Sequence, residues 1–396
     1  MRLLTAAGPL LTEHLGAHGE LQLADRQQLL EAVEGAGLLG RGGAGFPTAR
    51  KMRTVAAGSR PVVLANGCEG EPASGKDALL LSRHPHLVLD GLQAAAHAVG
   101  AAEAHLALHR GSPALPLVRK AIAERRDRAT VTLHEVEPRY VASEESALIN
   151  HVNTGVAKPV FTPPRPFERG IGRRPTLVNN VETLAHLALI ARHGAAWFRA
   201  VGDPEEPGTQ LFTADGAVVE VPTGTAVRSL LDLRGLQAVL VGGYFGTWVG
   251  VAQAQDLVLT HRDLRAAGGA LGAGVLVGLP ATGCGLVETA RVATFLAAEN
   301  AGQCGPCFNG LPSIAAAVRA LALGPWDDRT MTDLDRWLGV LAGRGACRHP
   351  DGAVRFVLSA LTVFAADVVE HRAGRPCKGV HSAPVLPVPL DGRSWT

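Results

Sequence analysis

PVVLANGCEGEP, residues 61–72, is the stretch on which the fold class turns. Pro61 to Ala65 is a short apolar run of strand length, and it stops at Asn66-Gly67, a turn-forming pair. Downstream, LVLDGLQAAAHAV (87–99) has helical spacing and HLAL (105–108) is strand-like again. A further helix is expected over about 114–127, followed by the strand VTLHE at 131–135. Parallel strands need a crossover, which a helix supplies, so this alternation predicts an α/β layer with a largely parallel sheet. Upstream, ADRQQLLEAVEGA (24–36) is helical and closes on Gly35 and Gly37.

From Tyr140 to Thr183 the chain is irregular and proline-rich, a length of loop that marks a binding surface when it lies within a compact domain. A helix over about 182–203 follows. QLFT (210–213) and AVVEV (217–221) flank Asp215-Gly216, a hairpin signal. Thr225 is placed to cap a short helix at 226–233, and QAVLV (237–241) is another strand of a small β-grasp-like unit. Helical patterning recurs at 284–300, 312–322, 331–343 and 351–371, and the short connections predict a bundle of antiparallel neighbours. The expected division is an α/β domain at 1–205, a β-grasp domain at 206–265, a helical-bundle domain at 266–380 and a loose tail at 381–396.

Composition narrows the function. The chain is 47% hydrophobic and 19% charged with a net charge of +2, so it lacks the basic footprint of a nucleic-acid binder. Ala266 to Val287 carries no charge, but its glycines and Pro280 suit a buried strand between turns better than a lipid-facing helix, and no membrane insertion is expected. No secretory signal is read in MRLLTAAGPLLTEHLG, so the six cysteines point to metal or redox use in the cytoplasm and not to a disulfide framework.

Five segments could carry chemistry. GRGGAGF (40–46) has glycines at the dinucleotide-fingerprint positions 40, 42 and 45, but a helix and not a strand precedes it. Its side-chain-free backbone would still let phosphate oxygens approach N–H groups, with Lys51 adding positive charge nearby; the alternative is a plain glycine turn. NGCEGE (66–71), at the end of a strand, offers Asn66, Glu69 and Glu71 to a ring edge or ribose, or is a solvated acidic loop. YVASEES (140–146) carries Tyr140, Glu144 and Glu145, and VNNVET (178–183) carries Asn179 and Asn180, of which Asn180 or a neighbour could instead cap the helix that follows. Cys304-Gly-Pro-Cys307, with Cys347 and His349 some forty residues on, suits a cluster, a zinc site or inert thiols. Cys68, Cys284 and Cys377 show no ligand spacing.

In this order the five segments resemble the flavoprotein component of respiratory complex I, the F subunit of bacterial NADH:quinone oxidoreductase, an architecture shared with NAD-reducing hydrogenases and NAD-dependent formate dehydrogenases. The resemblance runs from about Gly35 to Cys377 and includes the soluble-ligand-binding β-grasp segment. It implies a Rossmann-like FMN domain in which Gly40, Gly42, Gly43, Lys51, Asn66, Glu69, Glu144, Glu145, Asn179 and Asn180 cradle FMN. Phe46, Glu71 and Tyr140 would hold NADH over the flavin, with Glu71 and Glu145 assisting, and Cys304, Cys307 and Cys347 would hold an iron–sulfur cluster. An iron–sulfur partner subunit or a ferredoxin would then accept the electrons, with the module cytoplasmic or peripheral to a membrane complex.

The chain also departs from the family pattern. Ala301 stands where the first cluster ligand belongs, which leaves a [3Fe–4S] cluster, a [4Fe–4S] cluster with a non-cysteine ligand, zinc or an empty site open. Cys68 replaces an Asp and Ser143 a Gly of the flavin site, and Thr54, Thr162 and Arg165 stand where the family lines the NADH site. The alternative function is a flavin- or nucleotide-binding scaffold without NADH oxidation.

Overall fold

A computed structural model describes residues 2–4, 8–325 and 328–389. Its first layer is a four-stranded parallel sheet of β1 (Val62–Asn66), β2 (Glu103–His109), β3 (Thr130–Val136) and β4 (Thr176–Asn180), in the order β3-β2-β1-β4. The α/β expectation therefore holds, with a parallel Rossmann-like sheet. β4 and the helix Glu145–Thr154 both fall in the stretch read as irregular. Pro175-Thr176 and the Asn pair leave β4 an apolar run of only Leu177-Val178, too short to signal a strand, and pairing with β1 is what makes it one.

The helices Pro85–Val99 and Val181–Arg199 pack against each other beside this sheet. Leu87, Val88, Leu92 and Ala95 of the first and Leu184, Leu187 and Ala188 of the second are buried in one core with Val63 and Leu106. Gly91 permits the approach: a Cβ there would lie 1.8 Å from the Leu184 carbonyl oxygen.

The second sheet comprises β5 (Thr209–Ala214), β6 (Ala217–Pro222), β7 (Leu236–Val241), β8 (Thr247–Gly250) and β9 (Val275–Pro280), in the order β6-β5-β9-β7-β8. Asp215 and Gly216 turn the β5–β6 hairpin at φ values of 44° and 83°, as the tight turn requires. The uncharged stretch does contain a buried strand, β9, which lies between β5 and β7 and carries this sheet past residue 265. The helix expected at 226–233 is only the turn Val227–Ser229, whose N-cap position is Ala226 and not Thr225; the Thr225 hydroxyl donates instead to the Pro222 carbonyl (2.7 Å).

Helices follow at Gly285–Ala298, Leu311–Leu323, Asp328–Leu341, His349–Val363 and Ala365–Arg372. The expected helix 351–371 is thus two helices, bent by 81° around Phe364. Leu286, Val292, Leu296, Ile314, Val318, Leu334, Phe356 and Val357 share one core. By length and composition the stretch Pro306–Leu323 could cross a membrane, but half of it is buried inside the fold.

The tail is not loose where it is described. Buried Glu288 accepts the backbone N–H groups of Val385 (3.0 Å) and Leu386 (3.1 Å), Leu386 is 1% exposed, and the Tyr244 hydroxyl donates to the Pro387 carbonyl (2.7 Å). Satisfied backbone and a buried anchor hold what proline and serine content alone would leave free. The rest of the tail lies outside the described residues.

Candidate functional site

β2 and β3 extend the sheet to one side of β1, and β4 returns on the other. The crevice beyond the C-terminal ends of β1 and β4 is therefore the topological switch point, where open α/β sheets bind ligands. Register puts Ala65 opposite Asn179 and Asn66 opposite Asn180 there. The two asparagines of β4 differ sharply. Asn180 caps the helix Val181–Arg199 by accepting from the Glu182 N–H (3.0 Å), and it also bonds Lys76 (3.1 Å) and Asp77 (2.7 Å). Asn179 is 6% exposed, and its Nδ2 is buried with no partner. A buried amide left unpaired costs about 1–3 kcal/mol, so it marks a place for a ligand acceptor.

The glycine loop lies between the helices Arg26–Ala36 and Thr48–Ala56, as its context predicted. It closes on itself, with the Gly40 N–H donating to the Phe46 carbonyl (2.9 Å) and the Thr48 N–H to the Leu38 carbonyl (2.9 Å). A Cβ on Gly42 would touch the Asn180 Cβ at 3.4 Å, which brings this loop to the crevice. Gly43, at φ 103°, has Gly272 oxygen 3.0 Å from a hypothetical Cβ, so a side chain would be both strained and crowded. Beneath the loop the Arg41 side chain is buried, and the Arg41 backbone N–H donates to the Thr183 hydroxyl at 2.8 Å. Burial lowers the Arg41 pKa, against the opposing pull of Glu182 and Glu206.

The remaining segments join the crevice through Asn66. Its Nδ2 donates to the Ser143 carbonyl (2.8 Å) and its Oδ1 accepts from the Cys68 N–H (3.0 Å), so the acidic turn and the 140–146 segment are tied together. Lys51 bonds the Val178 carbonyl (3.1 Å) and pairs with Glu145 (3.4 Å), which adds the helix after the glycine loop. Phe46, 36% exposed, lies 5.8 Å from the Lys51 Nζ, ring centroid to nitrogen. Gly42, Lys51, Asn66, Glu145, Asn179 and Asn180 are thus linked contact by contact.

The other carboxylates are committed to protein. Glu69 accepts the N–H groups of Asp77 (3.1 Å) and Ala78 (3.1 Å) at the start of the helix Lys76–Arg83. Glu144 caps the helix Glu145–Thr154 through Ser146 (2.9 Å) and Ala147 (3.2 Å). Glu71 is buried against the second sheet, accepting from the Tyr140 hydroxyl (3.1 Å), the Tyr244 N–H (2.7 Å) and the Ala73 N–H (3.3 Å). Burial pushes its pKa up to about 7, against the lowering effect of those three donors.

Sequence reading missed Lys76 and Asp77. Lys76, 3% exposed, pairs with Asp77 (2.7 Å) and Glu182 (3.0 Å) behind Asn180. Burial works to lower its pKa, but the two carboxylates win and hold it above the usual ammonium range. The adjacent Lys-Asp pair after the acidic turn was the only signal, and it reads equally well as a solvated helix start.

Tyr140 connects the crevice to the cysteine loop. Its N–H donates to Glu299 (2.7 Å), which also pairs with Arg139 (3.2 Å) at the end of the helix Gly285–Ala298. Past Glu299, the Cys304 and Cys307 sulfurs lie 3.5 Å apart. Burial pushes the Cys347 pKa up to about 11, with Glu144, Cys307 and Cys304 adding to it. His349 packs its ring 5.8 Å from Tyr140, centroid to centroid, and its Nε2 is 2.7 Å from the Leu296 carbonyl. Ala301 is buried and offers no ligand atom.

Residues 33–189 match the family described as the Nuo51 FMN-binding domain, and residues 288–371 match the iron–sulfur binding region of NADH-ubiquinone oxidoreductase-F. Over 380 residues the chain is 31% identical to the NADH-quinone oxidoreductase F 2 subunit of Rhizobium meliloti (strain 1021), covering 88% of this chain and 90% of that one. The chain belongs to the NADH-quinone oxidoreductase F-subunit family. The Escherichia coli (strain K12) F subunit is 33% identical over 385 residues, covering 88% of this chain and 85% of its own length. A crystal structure of NAD+-reducing [NiFe]-hydrogenase in the H2-reduced state matches with a TM-score of 0.82 at 31% identity, covering 93% of this chain. This chain spans 66% of that hydrogenase chain.

Family membership makes the chain an NADH-oxidising flavoprotein with FMN and an iron–sulfur centre as its cofactors. Its residues fit FMN on two counts: the unpartnered amide of Asn179, and the side-chain-free backbone of Gly42 and Gly43 that the loop brings to the crevice against Asn180. The thiols of Cys304, Cys307 and Cys347 are the donor type of an iron–sulfur centre, with no sulfur at position 301.

Proposed function

We propose that the β1/β4 crevice holds FMN and that this chain works as the NADH-oxidising subunit of a larger electron-transfer module. The carrying observation is the buried, unpartnered Nδ2 of Asn179 at the end of β4, beside the side-chain-free backbone of Gly42 and Gly43. When bound, FMN supplies the hydride-accepting and one-electron chemistry that no side chain here can perform.

The backbone N–H groups of Gly42 and Gly43 and the ammonium of Lys51 receive the phosphate, Gly40 closes the loop through its bond to the Phe46 carbonyl, and Asn66 and Asn179 orient the ring and ribityl chain. Glu69, Glu144 and Asn180 shape the pocket through the helix caps that they make. Phe46 and Tyr140 flank the nicotinamide side, Glu71 presents a carboxyl poised between neutral and charged near pH 7, and Glu145 offsets positive charge on the pyridinium. Cys304, Cys307 and Cys347 bind the iron–sulfur centre, which Tyr140 and Glu299 tie to the pocket wall.

In this reading residues 1–205 are the FMN unit, 206–265 together with β9 a soluble-ligand-binding β-grasp, the helices within 266–380 a four-helix-bundle iron–sulfur unit and 381–396 its tail. The electron acceptor is an iron–sulfur partner subunit or a ferredoxin. The free state of all six cysteines supports a cytoplasmic setting, whether or not the module docks on a membrane complex.

Titration of the flavin-free chain with FMN, followed by quenching of flavin fluorescence, tests the pocket. Asn179→Ala is expected to weaken FMN about 10-fold or more, the value of one good hydrogen bond, while leaving the stability of the flavin-free protein unchanged or raised. Unaltered FMN affinity, or a large loss of stability without flavin, would contradict it.

A further inference from the structure

Cys284, His371 and Cys377 have no place in the flavin or cysteine-loop chemistry, and their sequence spacing suggested nothing. The fold nevertheless brings one ligand atom from each within 4.8 Å of the others. Among the described residues no other group of three or more metal-capable side chains is so compact. We propose that these three residues form a zinc site that staples the two ends of the C-terminal helical region together.

Each ligand comes from a different place. Cys284 is the residue before the helix Gly285–Ala298, His371 is in the last turn of Ala365–Arg372, and Cys377 precedes the turn Lys378–His381. Cys284 and His371 are buried at 2% and 4% exposure, and Cys377 is half-buried. The turn sits so close to the start of the first helix that a Cβ on Gly379 would come 2.3 Å from the Gly283 carbonyl carbon.

His371 is oriented as a metal ligand should be. Its Nδ1 lies 3.1 Å from the Ala322 carbonyl, an acceptor only, so Nδ1 carries the proton and Nε2 keeps its lone pair. That lone pair faces the Cys284 sulfur at 3.9 Å and accepts the Cys377 N–H at 3.0 Å, a partner that a bound ion would replace. Tetrahedral zinc with Zn–S of about 2.3 Å and Zn–N of about 2.0 Å separates its ligand atoms by about 3.5–3.8 Å, close to what the fold presents. Two thiolates and an imidazole favour zinc over the oxygen-seeking ions. Binding displaces two thiol protons and leaves the buried site neutral, so no uncompensated charge is left in the interior. Three protein ligands leave the fourth position for water.

The test is zinc and iron analysis of the full-length chain, purified anaerobically and reconstituted with each metal. About one zinc ion per chain is expected. Cys284→Ser and Cys377→Ser should each lose zinc and keep iron, whereas a Cys304→Ser/Cys307→Ser double variant should lose iron and keep zinc. Cys377→His, which retains a ligand, should keep zinc and guards against a serine variant that fails to fold. Cobalt(II) in place of zinc should give a sulfur-to-metal charge-transfer band that Cys284→Ser abolishes. A folded wild-type chain that takes up no zinc, zinc that follows Cys304 and Cys307 instead, or a Cys284–Cys377 disulfide found by mass spectrometry would overturn the proposal.

Discussion

Replacing Glu71 by glutamine should flatten part of the pH dependence of stability. The wild-type carboxyl is buried, and its pKa in the folded chain is about 7 against an ordinary 4.5. A raised carboxyl pKa means that the folded state holds a proton that the unfolded chain has released. Stability from this group is therefore complete below pH 4.5 and is lost as pH rises through about 7. At about 1.4 kcal/mol per pH unit, the loss across that window is about 3 kcal/mol. A glutamine does not ionise, but it presents one oxygen where the carboxylate presents two to the N–H groups of Tyr244 and Ala73 and to the Tyr140 hydroxyl, which costs about 1 kcal/mol. The Glu71→Gln variant should be about as stable as wild type at pH 5, where about 1 kcal/mol has already been lost from the carboxyl, and about 2 kcal/mol more stable at pH 8. Urea unfolding of both chains at pH 5, 6, 7 and 8, with cofactors in matched states, reads the difference directly, and other titrating groups cancel. Parallel pH profiles, or a variant that loses ground as pH rises, would refute the reasoning.

Two other perturbations probe separate parts of the fold. Asp90 bonds His14 (2.7 Å), Arg125 (2.7 Å) and Arg192; burial works to raise its pKa, yet these partners hold it at about 2. Its stabilisation is present above the ordinary 3.8 and lost as pH falls through about 2. Asp90→Asn, which leaves buried cations uncompensated, should cost about 3 kcal/mol at pH 7 in thermal or urea unfolding, and a neutral result would contradict the burial argument. Ala301→Cys should raise the iron content and give a reduced [4Fe–4S] EPR signal, whereas unchanged iron would show that position 301 does not face the cluster.

Much of the fold was legible because local and tertiary demands agreed. Val62–Asn66, Pro85–Val99 and Glu103–His109 carry apolar runs at the period of the element that they form, and Asp215-Gly216 has the turn chemistry of its hairpin. β4, no shorter than β1, was missed because only Leu177 and Val178 in it are apolar, so pairing with β1 and not its own pattern makes it a strand. The site residues were recognisable by type, but their duties were not. Glu69, Glu144 and Asn180 are the acceptors that helix N-termini require, and only the neighbouring backbone shows that Asn179 is the asparagine left open. Cys284, His371 and Cys377 could not be read together, since local spacing carries no sign of a contact made by helices far apart in the chain.

The most direct measurement of the central claim is an anaerobic optical titration of the purified chain with NADH after reconstitution with FMN. A yellow protein binding about one FMN per chain is expected, whose flavin absorbance bleaches on adding NADH and returns with an external electron acceptor. A chain that retains no FMN, or a bound flavin whose colour NADH leaves untouched, would contradict it.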